Sequence, residues 1–212
     1  MHTTRALACA LTLVLTASAG IAAAENTADN ALTPQEKAEG WVLLFDGTTL
    51  DGWDNVDHAQ WTIENGAITA SGATPGNLFS SKIFGDFVLK VDFRTPDEHG
   101  NSGVFLRVPP GKNKPGQNGY EVQIFDTSAT GYNTGSVVHV GKAPAAVTLV
   151  AHQWNTFEIT ADGDHYVVVL NGKRLLDVRD VNDAPLTSGA VGLQYVTVPF
   201  EFRNIKIKPV RR

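Results

Sequence analysis

The chain has 212 residues, 42% of them hydrophobic, and a formal net charge of −5. That length suits one ordinary domain able to bury a core without staples, and the acid balance, with no basic run, argues against a nucleic-acid surface, which needs clustered Lys and Arg. The lone cysteine, Cys9, excludes a disulfide framework.

In chain order, Arg5 is followed by an apolar run over residues 6–17 and then by Ala22-Ala23-Ala24. A basic start, an apolar middle and a small-x-small end form the pattern of a secretory signal, so cleavage is expected after Ala24 and the protein is expected to be exported, periplasmic or secreted. The run falls short of the ~20 residues needed to span a bilayer, and no later segment is longer. No membrane association is expected after cleavage. Cys9 lies inside the signal, which leaves the mature chain without a thiol. Residues 25–40 read as a polar linker. Within it, Thr33-Pro34-Gln35-Glu36-Lys37 predicts a brief helix: a capping Thr, Pro at the first helical position and acid in the first turn.

From Trp41 to residue 210 the pattern is that of a single all-β domain. Short runs rich in Val, Ile, Phe and Tyr alternate with Gly, Asn, Asp and Pro clusters. Strands are predicted at 41–45, 60–64, 67–71, 78–82, 86–95, 102–107, 119–126, 136–139, 154–161, 164–170, 173–178, 189–195 and 199–208. Asn65-Gly66 and Asn171-Gly172 are hairpin signals, and Asp162-Gly163 joins two further runs. Long strands favour a two-sheet antiparallel sandwich of jelly-roll type over a barrel. The irregular segments 108–118, 126–135 and 140–153 are long enough to be candidates for function.

Strand alternation sorts the side chains. In 119–126, Tyr120, Val122 and Ile124 read as core, while Glu121, Gln123 and Phe125 share the other face. In 102–107, Val104 and Leu106 point one way and Phe105 and Arg107 the other. If the two strands are neighbours, Arg107, Glu121 and Gln123 converge on one face. A polar face with aromatics suits a small carbohydrate partner; by alternation alone, Arg107 and Glu121 read equally well as a solvated cross-strand ion pair. The six histidines are scattered, without zinc-site spacing, and no Gly-x-Ser-x-Gly elbow occurs. No cofactor is expected. Asp92, Asp97, Glu98 and Asp126 offer oxygen ligands to a divalent cation such as calcium, but not at EF-hand spacing.

Six ordered motifs now stand out: Leu44-Phe45-Asp46-Gly47-Thr48-Thr49-Leu50-Asp51-Gly52-Trp53, Asn101-Ser102-Gly103-Val104-Phe105-Leu106-Arg107, Gly119-Tyr120-Glu121-Val122-Gln123-Ile124-Phe125-Asp126, Trp154-Asn155-Thr156-Phe157-Glu158-Ile159 with Leu170-Asn171-Gly172-Lys173, Gly192-Leu193-Gln194, and Phe202-Arg203-Asn204-Ile205-Lys206-Ile207. Over residues 41–208 the chain resembles the 3-keto-disaccharide hydrolase family. The resemblance implies a concanavalin A-like sandwich and hydrolysis of glycosides already oxidised at C3. Such a ketone acidifies the C2 proton, so a base, a group facing the C3 oxygen and an acid at the leaving oxygen are needed.

On that footing Glu121 is the candidate base and Arg107 the candidate enolate stabiliser. His139 is a candidate acid or second base, and Asp126 a candidate orienting group. Gln123, Gln194, Asn101, Phe105, Tyr132 and Tyr195 are candidate sugar contacts. His139 reads equally as a structural histidine, Asp126 as a turn residue and Asn101 as a residue shaping the Gly100–Gly103 turn. The family commonly follows Gly-Leu-Gln with a polar pair such as Asp-His, whereas this chain continues Tyr195-Val196-Thr197. A non-catalytic carbohydrate-binding module and a purely structural sandwich are the competing readings. The aglycone, the anomeric preference and the oligomeric state are not written in the sequence.

Overall fold

The alternating segments pair into two antiparallel sheets. A computed structural model of the chain describes residues 28–97, 99–111, 118–144, 147–196 and 198–210; the signal reading of residues 1–24 lies outside them. The strands are β1 (Val42–Leu43), β2 (Trp53–Asn55), β3 (Gln60–Glu64), β4 (Ala67–Ser71), β5 (Gly76–Ser80), β6 (Phe87–Arg94), β7 (Ser102–Val108), β8 (Tyr120–Ile124), β9 (Asn155–Asp162), β10 (His165–Leu170), β11 (Lys173–Arg179), β12 (Ala190–Tyr195) and β13 (Glu201–Pro209). One sheet has the order β11-β10-β9-β6-β13-β4-β3, with β1 added beside β13; the other runs β2-β5-β12-β7-β8.

The core lies between the sheets because alternate residues of each strand are apolar. Leu89, Val91 and Phe93 of β6, Phe157 and Ile159 of β9 and Phe202 of β13 meet Val104 and Leu106 of β7, Val122 of β8 and Val191 and Leu193 of β12. Phe93 and Phe157 pack with ring centroids 4.8 Å apart. Asn65-Gly66 and Asn171-Gly172 both adopt positive φ and turn the β3–β4 and β10–β11 hairpins.

The helix expected near residue 33 forms as α1 (Pro34–Ala38), with a capping box in which Thr33 accepts from Glu36 N and Glu36 accepts from Thr33 N. Residues 29–41 lie along the outer face of the eight-stranded sheet. Asp29 pairs with Arg203, Glu36 with Lys206 and Glu39 with Lys208. The Trp41 ring lies 5.0 Å from Lys90 Nζ and 5.2 Å from Lys208 Nζ.

Two strand expectations need correction. Residues 136–139 do not form a strand of their own: Val137 makes isolated bridges to Val122 and Gly141, because the chain turns back tightly, with Val140 N and Gly141 N both donating to Val137 O. Residues 53–55 do form an edge strand that their Asp-Asn content disguised.

Candidate functional site

The outer face of the five-stranded sheet carries the residues of interest, and strand register sets their order. Asp54, Phe79, Gly192, Phe105 and Glu121 lie in one row across β2, β5, β12, β7 and β8. Asn77 and Gln194 pair in the next row, and Gly103 and Gln123 pair alongside them. The two glycines shape this surface. A Cβ on Gly103 would meet Glu121 Oε1 at 2.5 Å, and one on Gly192 would collide with the Phe79 ring. Glu121 therefore leans over β7 and Phe79 over β12, each into space left by a missing side chain.

Glu121 is partly buried and, among the described residues, meets no counter-charge. Burial pushes its carboxyl up to about 7, offset only in part by the hydrogen bond that the Gln194 amide donates to it. The Gln194 carbonyl oxygen, Oε1, is buried without a partner, as is Oδ1 of Asn101, the residue that precedes β7. A buried acceptor left unmade costs free energy, and the Gln194 oxygen carries that cost next to the desolvated carboxyl to which its amide is bonded. Gln123 Oε1 accepts from Ile124 N at 3.2 Å, which leaves its NH2 end to donate outward. Of the three residues that alternation placed on one face, the structure keeps Glu121 and Gln123 together there, and Gln194 joins them from β12.

The structure does not bring Arg107 to Glu121. β7 bulges here: Val108 pairs with Ala190 but Phe105 pairs with Gly192, one residue more on β7 than on β12. Arg107 takes φ 53 and turns inward. Its guanidinium is wholly buried and forms an ion pair with Asp86 at 2.8 Å. It also donates to Leu186 O at 2.8 Å and Tyr166 Oη at 2.9 Å, and bonds Gly163 O and Gly85 O. It is a structural clamp, with no access to a substrate.

Other assignments also change. Tyr195 faces the opposite side of β12, buried with Ala59 and Ala70, and its hydroxyl donates to Gly72 O at 2.9 Å; it offers no platform. Phe105 is on the site face but buried against Phe79, with centroids 5.9 Å apart, so it forms floor rather than an exposed ring. Asp126 spends its carboxylate on Thr134 Oγ1 and on Leu149 N, 2.7 Å away, tying two loops to the end of β8. His139 is exposed at φ 66. Its ring packs edge-on against Tyr132 at 5.9 Å, and Lys142 Nζ lies 4.9 Å from the Tyr132 centroid. That trio adjoins the site, since Val138 N donates to Glu121 O. The acids considered for a cation are dispersed: Asp92 accepts from Thr156 and Asn204, far from the bonds of Asp126, and Glu98 lies outside the described residues. Among the described residues no group of three or more His, Cys, Asp or Glu side chains is placed to hold a metal ion.

Sequence reasoning missed Phe79, Asn77 and the roles of Gly103 and Gly192. A glycine inside a strand pattern was the available signal. Asn77 donates to Asp57 at 2.8 Å. A cavity of about 310 Å³ opens beside Phe79, lined also by Asp54, Val56, Ile83, Val108, Pro109 and Ala190.

Residues 40–208 match the model of the 3-keto-alpha-glucoside-1,2-lyase-like domain. The chain belongs to that family. A 3-keto-disaccharide hydrolase of Bacteroides thetaiotaomicron is 33% identical over 81 residues, which span 32% of this chain and 27% of that relative. A candidate glycosyl hydrolase of Parabacteroides distasonis, known from a crystal structure, is 25% identical, with a TM-score of 0.75 over 87% of this chain and 100% of its own. A carbohydrate-binding module of Bacillus subtilis, at 19% identity and a TM-score of 0.56 over 73% of this chain and 94% of its own, shares the fold. This member of the lyase-like family is thus a β-sandwich of the kind seen in those proteins, and the outer face of its smaller sheet is its candidate site.

Proposed function

We propose that this domain hydrolyses 3-keto-glycosides by elimination and rehydration, in an exported protein. The observation that carries the reading is a desolvated carboxyl, Glu121, that meets no cation among the described residues and is bonded to an amide, Gln194, whose oxygen has no partner. An ordinary glycosidase works with two carboxyls flanking the bond; the row that holds Glu121 offers a second acid only at its far end, Asp54. A carboxylate near neutral pKa is suited instead to taking the acidified proton from C2 of a 3-keto sugar.

In that step Glu121 takes the proton and the C2–H electron pair passes into the ring as the enolate of the C3 ketone. The NH2 groups of Gln123 and Asn101 are the donors available to the C3 oxygen, in place of the guanidinium expected from sequence. The enolate collapses to a C1=C2 double bond as the C1–O bond breaks. Glu121, now protonated, is placed to return its proton to the departing aglycone oxygen. Water then adds across C1=C2, hydroxyl to C1 and hydrogen to C2, and 3-keto-glucose is released. Gln194 Oε1 and Asn101 Oδ1 accept from sugar hydroxyls throughout.

The test is turnover of 3-keto-trehalose and 3-keto-lactose by the purified protein, with unoxidised sugars as controls. The expected result is release of 3-keto-glucose from the oxidised sugars alone, a loss of at least about 100-fold in kcat on Glu121→Gln, and an acid limb in kcat/KM near pH 7, where Glu121 loses its proton. Turnover that survives Glu121→Gln removes this base. Binding without turnover moves the domain to the carbohydrate-binding modules.

A further inference from the structure

From the cavity beside Phe79 we infer that the preferred substrate carries an apolar aglycone, an alkyl-ring or aryl group, rather than a second sugar. The inference rests on the reaction proposed above and names the substrate class for that same face.

Position comes first. The Glu121 carboxyl reaches over Gly103, and the Phe79 ring lies over Gly192. Gly192 pairs with Phe105 and Leu193 with Val104, so Gly103 and Gly192 are diagonal neighbours across β7 and β12. Such neighbours stand about 7–8 Å apart. The group on C1 begins at the carbon next to the one that loses its proton, so a substituent directed along this row extends over that gap with its own atoms to reach Phe79. A sugar held by Asn101, Gln194 and Gln123 with C2 at Glu121 can in this way direct its C1 substituent past Phe79 into the cavity.

The lining then decides what fits. Val56, Phe79, Ile83, Val108, Pro109, Pro110 and Ala190 provide the walls. The Ser80 hydroxyl is already spent, donating to Lys82 O at 2.7 Å and accepting from Val191 N at 3.1 Å. Among the described residues, Asp54 and Ser81 remain as polar side-chain contacts, too few for the several hydroxyls of a second sugar, whose burial unpaired would be costly. Ile83 is 56% and Val56 40% exposed, two of the few large apolar side chains that the described residues leave in water. Exposed apolar groups gathered at the rim of one cavity mark a contact surface.

The experiment compares kcat/KM for methyl and cyclohexylmethyl 3-keto-glucosides of one anomeric configuration, whose leaving alcohols have similar acidity, together with 3-keto-trehalose. The cyclohexylmethyl compound is expected to exceed the methyl one at least about tenfold, mostly through KM, as expected for burying several CH2 groups; 3-keto-trehalose should do no better than the methyl glycoside. Ile83→Asp, at a surface position that does not disturb the core, should bring the ratio close to unity. A wild-type ratio near one, or a ratio that Ile83→Asp and Val56→Asp leave intact, overturns the inference. Should none of the three be turned over, the reaction itself falls. The cavity is then judged by calorimetric binding of the two glycosides to wild type and Ile83→Asp: a cyclohexylmethyl preference lost in the variant upholds it, and equal binding refutes it.

Discussion

Arg107 and Glu121 show how the same residue types serve opposite ends. Both were drawn to one face by alternation, and both are withdrawn from water, but Arg107 has Asp86, Tyr166 and three backbone carbonyls to satisfy it, whereas among the described residues Glu121 has the Gln194 amide alone. A buried charge with a full set of partners is a structural device, and its removal strands the partner left behind. Arg107→Met is therefore expected to cost on the order of 3–5 kcal/mol of folding stability, measured by denaturant unfolding, while the fraction that remains folded keeps its kcat. A fall in kcat with unchanged stability would return Arg107 to the chemistry. The cause of the misreading is local: one extra residue in β7 reverses the in-out order after Leu106, and no residue in Phe105-Leu106-Arg107-Val108 announces a bulge, since Arg is seldom found at positive φ.

Among the elements, the segment around α1 depends most on charge. It buries no residue of its own helix and is held to β13 by Asp29–Arg203, Glu36–Lys206 and Glu39–Lys208, and by Asn30 and Asn204, whose side-chain oxygens each accept from the other's backbone N–H. Glu36→Gln removes the ion pair with Lys206 while leaving an oxygen that can still accept from Thr33 N in the capping box. It should cost about 1 kcal/mol in thermal unfolding at low salt, with the difference shrinking in concentrated salt and turnover unaltered. An equal loss at high salt would mean that packing holds the segment instead. This helix was legible because Thr33, Pro34 and Glu36 are local signals. The strands were legible to within a residue or two where alternation and Asn-Gly turns coincide, as in β3, β4, β10 and β11. Legibility failed where pairing is settled by distant partners: β2 exists because β5 offers it an edge, and residues 135–138 run along β8 without building a ladder. In the site, the polar residues could be named in advance, but the orphaned oxygens and the leaning Phe79 depend on which strands lie side by side.

At the scale of the whole molecule, Glu121 and the remaining shifted acids pull stability in opposite directions with pH. Glu36 is desolvated, but its bonds to Lys206 and Thr33 outweigh that, and its carboxyl lies below the ordinary range; Asp46 is lowered by Thr48 and Thr49 N–H groups and Asp177 by His165. What these acids contribute is present above their unfolded values and fades as pH falls through their folded ones. Glu121 is the reverse case: its contribution is whole below 4.5 and is lost as pH rises through about 7. Stability should therefore peak near pH 5, and Glu121→Gln should be the more stable protein at pH 8, by on the order of 2 kcal/mol, with the advantage vanishing toward pH 4.5. A pH-independent difference between the two would deny the desolvation of Glu121. The two faces of the sandwich also divide the labour of attachment. Residues 29–41 run over the back of the larger sheet, a full sandwich thickness from Glu121, so anything joined ahead of them, whether a tether or an affinity tag, departs from the side remote from the site. Immobilised through that end on a bead or a sensor chip, the domain would hold its smaller sheet, with Glu121, toward the medium.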